Sequence, residues 1–134
     1  MPTDIKANEL RKGNCASLAG ETGYILTVGN TCAFKTKTST IRVVTDELKP
    51  IQITEERLLR FGFKKEEFWE DYILKKEVFF QDDDCFGLIK CLDGFKFCVD
   101  SETGFNTINE KSYNYLHEIQ NLYFALTNIE LVCQ

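Results

Sequence analysis

The sequence predicts an α+β protein: an N-terminal β-meander or small barrel, a short helix, and an antiparallel sheet packed on a C-terminal amphipathic helix. Three observations predict it. Short β-rich runs broken by turn residues fill the chain before Pro50. An Asp93-Gly94 pair sits between two apolar runs. The stretch Ser112–Thr127 holds neither Gly nor Pro and repeats apolar residues at helical spacing.

The first half reads as four strands. Asn14–Leu18 is the first, and Gly20-Glu21-Thr22-Gly23 is the turn after it. Tyr24–Val28 follows, with β-branched and aromatic content. Gly29-Asn30 makes a tight reversal, since both residues accept positive φ. Thr31–Thr36 and Thr40–Thr45 complete the meander. After Pro50, Thr54 is placed to cap a short helix. Glu55 and Glu56 suit its positive end, and Gly62 is its natural stop.

The stretch Glu66-Glu67-Phe68-Trp69-Glu70-Asp71 reads as a helix end or loop with Trp69 tucked inward. Tyr72–Gln81 reads as a long strand. Asp93-Gly94 between Cys85–Leu92 and Phe95–Asp100 predicts a two-residue hairpin loop. That loop pairs Leu92 with Phe95, Lys90 with Phe97 and Leu88 with Val99. Leu88, Leu92, Phe95, Phe97 and Val99, with Phe86 at the edge, then form the core face. Cys98 lies opposite Ile89 rather than Cys91, so no Cys91–Cys98 bond is expected.

In the closing helix Ser112 is the expected N-cap. Tyr115, Leu116, Ile119, Leu122, Tyr123 and Leu126 form the core stripe. Tyr113, His117, Gln120 and Phe124 form a second stripe. It is either half buried between two layers or a partner-binding surface, because exposed aromatics flanked by polar groups suit protein recognition. His117 is also the one histidine available as a general base.

Composition bounds the function classes. The 134 residues fit a single domain over 1–134, and 43% hydrophobic with 28% charged content is globular. The net charge of −5 disfavours nucleic acid, whose binders gain affinity by neutralising phosphates. No apolar run is long enough to span a membrane. Met1–Lys6 lacks the apolar core of a signal peptide, so a cytoplasmic site is expected.

In that compartment all six cysteines are expected as reduced thiols. No Cys-x-x-Cys pair occurs, and one histidine gives poor support for zinc. No cofactor, metal site or catalytic residue is assigned. Asp82-Asp83-Asp84, with Glu77 or Asp100, is the alternative: a Mg²⁺, nucleotide or small-ligand site, or an enzyme using it or His117.

Three segments carry a family resemblance. They are Asn8–Asn14 (NELRKGN), Lys49–Phe63 (KPIQITEERLLRFGF) and Tyr115–Thr127 (YLHEIQNLYFALT). In this order they resemble a family of small uncharacterised proteins of Bacteroidetes genomes and their phages. The family pattern runs ELRxGN, PIxxTEExLLxFGF, YxHxxQNLYFALT. Arg57 stands where a Trp is usual, Gln52 replaces a second Pro, and Asn128 stands where a Gly would end the last helix. Asn tolerates the left-handed cap. The resemblance implies a phage or prophage setting in a bacterial cytoplasm. It implies no activity. The expected role is a non-enzymatic accessory protein that binds a host or phage protein, such as a host defence protein. A homodimer is the other expected assembly.

Overall fold

A computed structural model of the chain describes residues 10–70, 74–81, 86–101 and 104–133. It shows an α+β fold with two antiparallel sheets and no closed barrel. The first sheet holds β1 (Cys15–Leu18), β2 (Glu21–Ile25), β3 (Thr31–Lys35) and β4 (Thr40–Val44), in that spatial order. The second holds β5 (Lys64–Glu70), β6 (Leu74–Phe80), β7 (Phe86–Cys91), β8 (Gly94–Ser101) and β9 (Gly104–Tyr113), also in chain order. The helices are α1 (Glu55–Arg60) and α2 (Leu116–Thr127). Two compact units result: Met1–Ile53 with Tyr115–Gln134, and Thr54–Asn114. Each is described by itself.

In the first unit the meander is local chemistry. The turn between β1 and β2 is Ala19-Gly20, with φ of 49° and 85°. Positive φ at both central residues is the hairpin geometry that matches strand twist. It places Glu21, Thr22 and Gly23 in β2, where a turn was expected, and pairs Leu18 with Glu21. Between β2 and β3 the loop is wider than a two-residue reversal. Thr27 Oγ1 accepts from the Ala33 N–H at 3.0 Å, and Asn30 O accepts from the Thr45 N–H at 3.0 Å. The buried Thr45 hydroxyl donates to Gly29 O at 2.6 Å, which fixes that loop.

Alternation sends Ala16, Ile25, Cys32, Phe34 and Val43 to one face, where Leu10 and Leu48 join them as a core. The chain after β4 then returns to the free edge of β1. Ser17 and Lys49 exchange both backbone hydrogen bonds, at 2.9 and 2.8 Å. Closure stops at this one bridge.

In the second unit Thr54 Oγ1 accepts from the Arg57 N–H at 3.2 Å, the expected cap of α1. The chain leaves α1 through Gly62. It then enters β5, where the sequence reading expected a helix end or loop. The charged run is strand because its charges pair across to β6. Lys65, Glu67, Lys75 and Glu77 share one face by register and form ion pairs there. The side chain of Trp69 lies outside the described residues, as do Tyr72 and Ile73.

The hairpin register differs from the expected one. Cys91 pairs with Gly94, Lys90 with Phe95 and Leu88 with Phe97, so the loop is Leu92-Asp93. Leu92, expected in the core, is fully exposed at the tip. Strand β9, which the sequence reading did not foresee, decides this. A Cβ on Gly94 would lie 2.7 Å from Asn114 Oδ1 and 2.9 Å from Tyr113 O. Gly94 (φ 139°) therefore belongs beside β9, where only a glycine fits, and the loop moves back by one residue. Ser112, expected as a helix cap, lies in β9 and donates its hydroxyl to the Asp93 carboxylate at 2.9 Å. That hydrogen bond holds the Asp93 carboxyl below its usual range.

Both faces of this sheet carry buried side chains. Phe79, Leu88, Phe95 and Phe97 lie on one, and Val78, Ile89 and Cys98 on the other. Cys98 faces Gly87, not Ile89, and Cys91 and Cys98 remain thiols. A Cβ on Gly87 would lie 2.9 Å from Cys98 Sγ. Gly87→Ala should therefore destabilise the fold by about 1–3 kcal/mol through overpacking. Adding Cys98→Ala should recover part of that loss, as read by urea denaturation. Equal stability of Gly87→Ala and the parent chain would remove the argument.

Candidate functional site

Buried polar side chains are the natural place to look for chemistry, because burial without partners is costly. In the first unit two of them, Gln120 and Asn14, lie where α2 meets the start of β1. Gln120 is 1% exposed and Asn14 is 1% exposed. The Gln120 side chain accepts from the Cys15 N–H at 2.8 Å. It donates to Gly13 O at 3.0 Å and to Leu131 O at 2.9 Å. One carboxamide thus joins the N-terminal strand, the last helix and the C-terminal tail.

Its neighbours extend the same joint. Asn14 Nδ2 donates to Asn121 Oδ1 at 2.9 Å, and the Arg11 N–H donates to Asn14 Oδ1 at 2.6 Å. The Arg11 guanidinium sits 3.9 Å from the Phe124 ring centroid, a cation–π contact. It also donates to Asn121 at 3.3 Å and pairs with Glu130. Cys15 is bonded to Cys133, with Cα atoms 5.6 Å apart. The expectation of six reduced thiols is therefore corrected at these two. The N-terminal strand and the tail lie side by side, and only the fold brings them there. Cys32 remains a thiol beside the Thr45 hydroxyl, and Cys85 lies outside the described residues.

Helix α2 is positioned by backbone pairing and a side-chain cap. The Leu116 N–H donates to Ile51 O at 2.8 Å, and Gln52 bridges Tyr115. Glu118 reaches back to accept from the Tyr115 N–H at 3.1 Å. At the far end Asn128 takes the left-handed conformation (φ 61°, ψ 21°) and its N–H donates to Phe124 O. Through Gln120, α2 is hydrogen-bonded to Cys15 at the start of β1.

The second stripe comes apart on this geometry. Tyr113 is in β9, not on the helix, and is 6% exposed. His117 is 2% exposed, its ring stacked near-parallel to Tyr115 with centroids 6.1 Å apart. Gln120 is spent on the joint, and Phe124 is half buried under Arg11. On α2 itself the buried residues are Leu116, His117, Ile119, Gln120 and Tyr123, so the two expected stripes merge into one wide inner face. Leu126, expected in the core, is exposed.

A charged cluster in the second unit centres on Lys65. Lys65 Nζ lies 2.7 Å from Glu55, 3.2 Å from Glu67 and 3.7 Å from Glu77. Lys75 lies 2.6 Å from Glu67, and Lys90 lies 3.7 Å from Glu77. Glu55 first, then Glu67, raises the Lys65 ammonium above its usual range. Lys75 first, then Lys65, holds the Glu67 carboxyl below its ordinary 4.5. Each carboxylate is matched by a lysine, which makes this an ion-pair network. Asp82, Asp83 and Asp84 lie outside the described residues. Among the described residues no group of three or more His, Cys, Asp or Glu could hold a metal. No helix among them is long and apolar enough to cross a membrane.

The residues of the joint that sequence reading missed are Arg11, Asn14, Cys15, Asn121 and Cys133. The signal for them was Gln120-Asn121, two adjacent amides inside an apolar helix. Comparison with protein-family models, with curated proteins and with solved structures finds no match.

Two expectations follow from the site. Gln120→Leu keeps the volume but leaves the Cys15 N–H and two carbonyls without this partner. It should cost roughly 3 kcal/mol in urea denaturation, far more than Leu126→Gln on the exposed side. A loss as small as that of the exposed variant would contradict the joint. For Glu67 the depressed carboxyl stabilises the fold above its ordinary 4.5 and stops doing so as pH falls through the lowered value. Glu67→Gln should therefore be less stable than the parent at pH 7 in low salt. The gap should close in acid and shrink in 0.5 M NaCl. No gap at neutral pH would sink the assignment.

Proposed function

We propose that the protein is a non-enzymatic accessory protein of a phage or prophage setting that acts by binding a host or phage protein. A host defence protein is the target class this reading favours. The observation that carries it is the run of large exposed apolar side chains in one short segment. Leu126, Ile129 and Val132 all stand out from the end of α2 and the tail, with Glu130 among them. Apolar side chains gain from leaving water, so such a segment favours association.

The net charge of −5 supports a partner with a basic surface. The resemblance of the three sequence segments supports the phage setting. The most conspicuous polar residues of those segments, Asn14, Gln120 and Asn121, serve the internal joint. The binding reading therefore rests on the surface rather than on the motifs.

The test is affinity capture of the full-length tagged chain from infected host cells, followed by mass spectrometry. One host or phage protein should be enriched, with capture falling as salt rises. The variant Leu126→Ser/Ile129→Ser/Val132→Ser should lose it by at least about tenfold. Capture of no salt-sensitive partner, or undiminished capture by the triple variant, overturns the reading.

A further inference from the structure

The tail after α2 has an unusual attachment. Asn128 takes the left-handed conformation at the end of α2, and beyond it Leu131 is bonded to Gln120 and Cys133 to Cys15. Non-covalent ties there include the exposed Arg11–Glu130 ion pair, the Gln120–Leu131 hydrogen bond of 2.9 Å, the Ile129 N–H donated to Thr127 Oγ1 at 3.1 Å, and the buried Leu131 side chain. A further tie is covalent, Cys15 to Cys133, across a sequence separation of 118. Between these ties Ile129 and Val132 face solvent.

Ordering each tail residue costs backbone entropy. The exposed ion pair offsets little of that cost. The Gln120–Leu131 hydrogen bond and the buried Leu131 side chain offset part of it. The covalent tie adds to these the one bond that a change of redox state removes. The two sulfurs also differ in access. Cys15 is 1% exposed and lies inside β1, whereas Cys133 is half buried near the chain end.

We propose that the Cys15–Cys133 bond is a redox latch: oxidised, it holds residues 129–133 on β1, and reduced, it lets them leave. The reductant is a dithiol. One of its thiolates attacks Cys133 Sγ, on the more exposed of the two residues. The Cys15–Cys133 bond breaks, and Cys15 departs as a thiolate that takes up a proton. The second thiolate of the dithiol then attacks the mixed disulfide and releases Cys133, which is protonated in turn. Two electrons and two protons pass from the dithiol to the protein, and the dithiol becomes a disulfide. Release uncovers Leu131 and the Cys15 thiol. The latch stands on the geometry of the tail alone and goes beyond the binding reading.

Limited proteolysis of the full chain by a disulfide-free protease, with and without dithiothreitol, tests it together with hydrogen exchange of α2. In the oxidised chain residues 129–133 should resist cleavage, with Leu131 buried. On reduction cleavage there should quicken by at least about tenfold, while the amides of Leu116–Thr127 keep their protection. Cys133→Ser should match the reduced chain with or without the reductant. Unchanged tail cleavage on reduction overturns the latch. So does loss of protection throughout α2, which would make the bond a staple of the whole unit. Peptide mapping that finds no Cys15–Cys133 link in air-oxidised protein also overturns it.

Discussion

The carboxamide of Gln120 is the interaction on which the first unit depends. It is nearly fully buried, and it bonds the strand start at Gly13 and Cys15 and the tail at Leu131. A buried amide of this kind has few ways to be satisfied, so it selects one arrangement of three chain segments. Apolar contacts are less discriminating: Leu116, Ile119 and Tyr123 could slide by small amounts and still be buried. The amide supplies the register that the apolar face leaves open. Asn14 and Asn121 repeat the same logic one step outward.

This joint ties together parts of three segments that are remote in sequence. Arg11, Gly13 and Asn14 belong to the first, Ile51 and Gln52 to the second, and Tyr115, Leu116, Gln120, Asn121 and Phe124 to the third. They touch one another directly. Residues that are remote in sequence are thus tied together by one folding requirement.

The second unit shows a different kind of determinacy. Moving the hairpin loop from Asp93-Gly94 to Leu92-Asp93 changes the partner of Lys90 from Phe97 to Phe95, a step of two residues. Side chains alternate with a period of two, so every residue keeps its face. Leu88, Phe95 and Phe97 are buried as the alternation required, even though the pairing itself was misjudged. Leu92 changes fate because it moves from the strand into the loop, and Ile89 and Cys98 on the opposite face are buried as well. The close approach of Asn114 and Tyr113 to Gly94 decides the matter, and no dipeptide rule contains that contact.

Local chemistry was legible in the sequence. The α+β class, the meander, the Thr54 cap, the left-handed Asn128 and the helical character of Leu116–Thr127 follow from turn, capping and periodicity rules that act within a few residues. What required the tertiary structure is non-local. Strand β5 is a strand because it pairs along its length with β6, and Ser112 becomes a strand residue because β9 lies against β8. The Cys15–Cys133 bond needs two chain ends side by side. For Tyr113, His117, Gln120 and Phe124 the spacing showed a stripe, but spacing cannot tell an inner face from an outer one. Burial is a property of what packs against a residue, and for Gln120 that is a strand more than a hundred positions away.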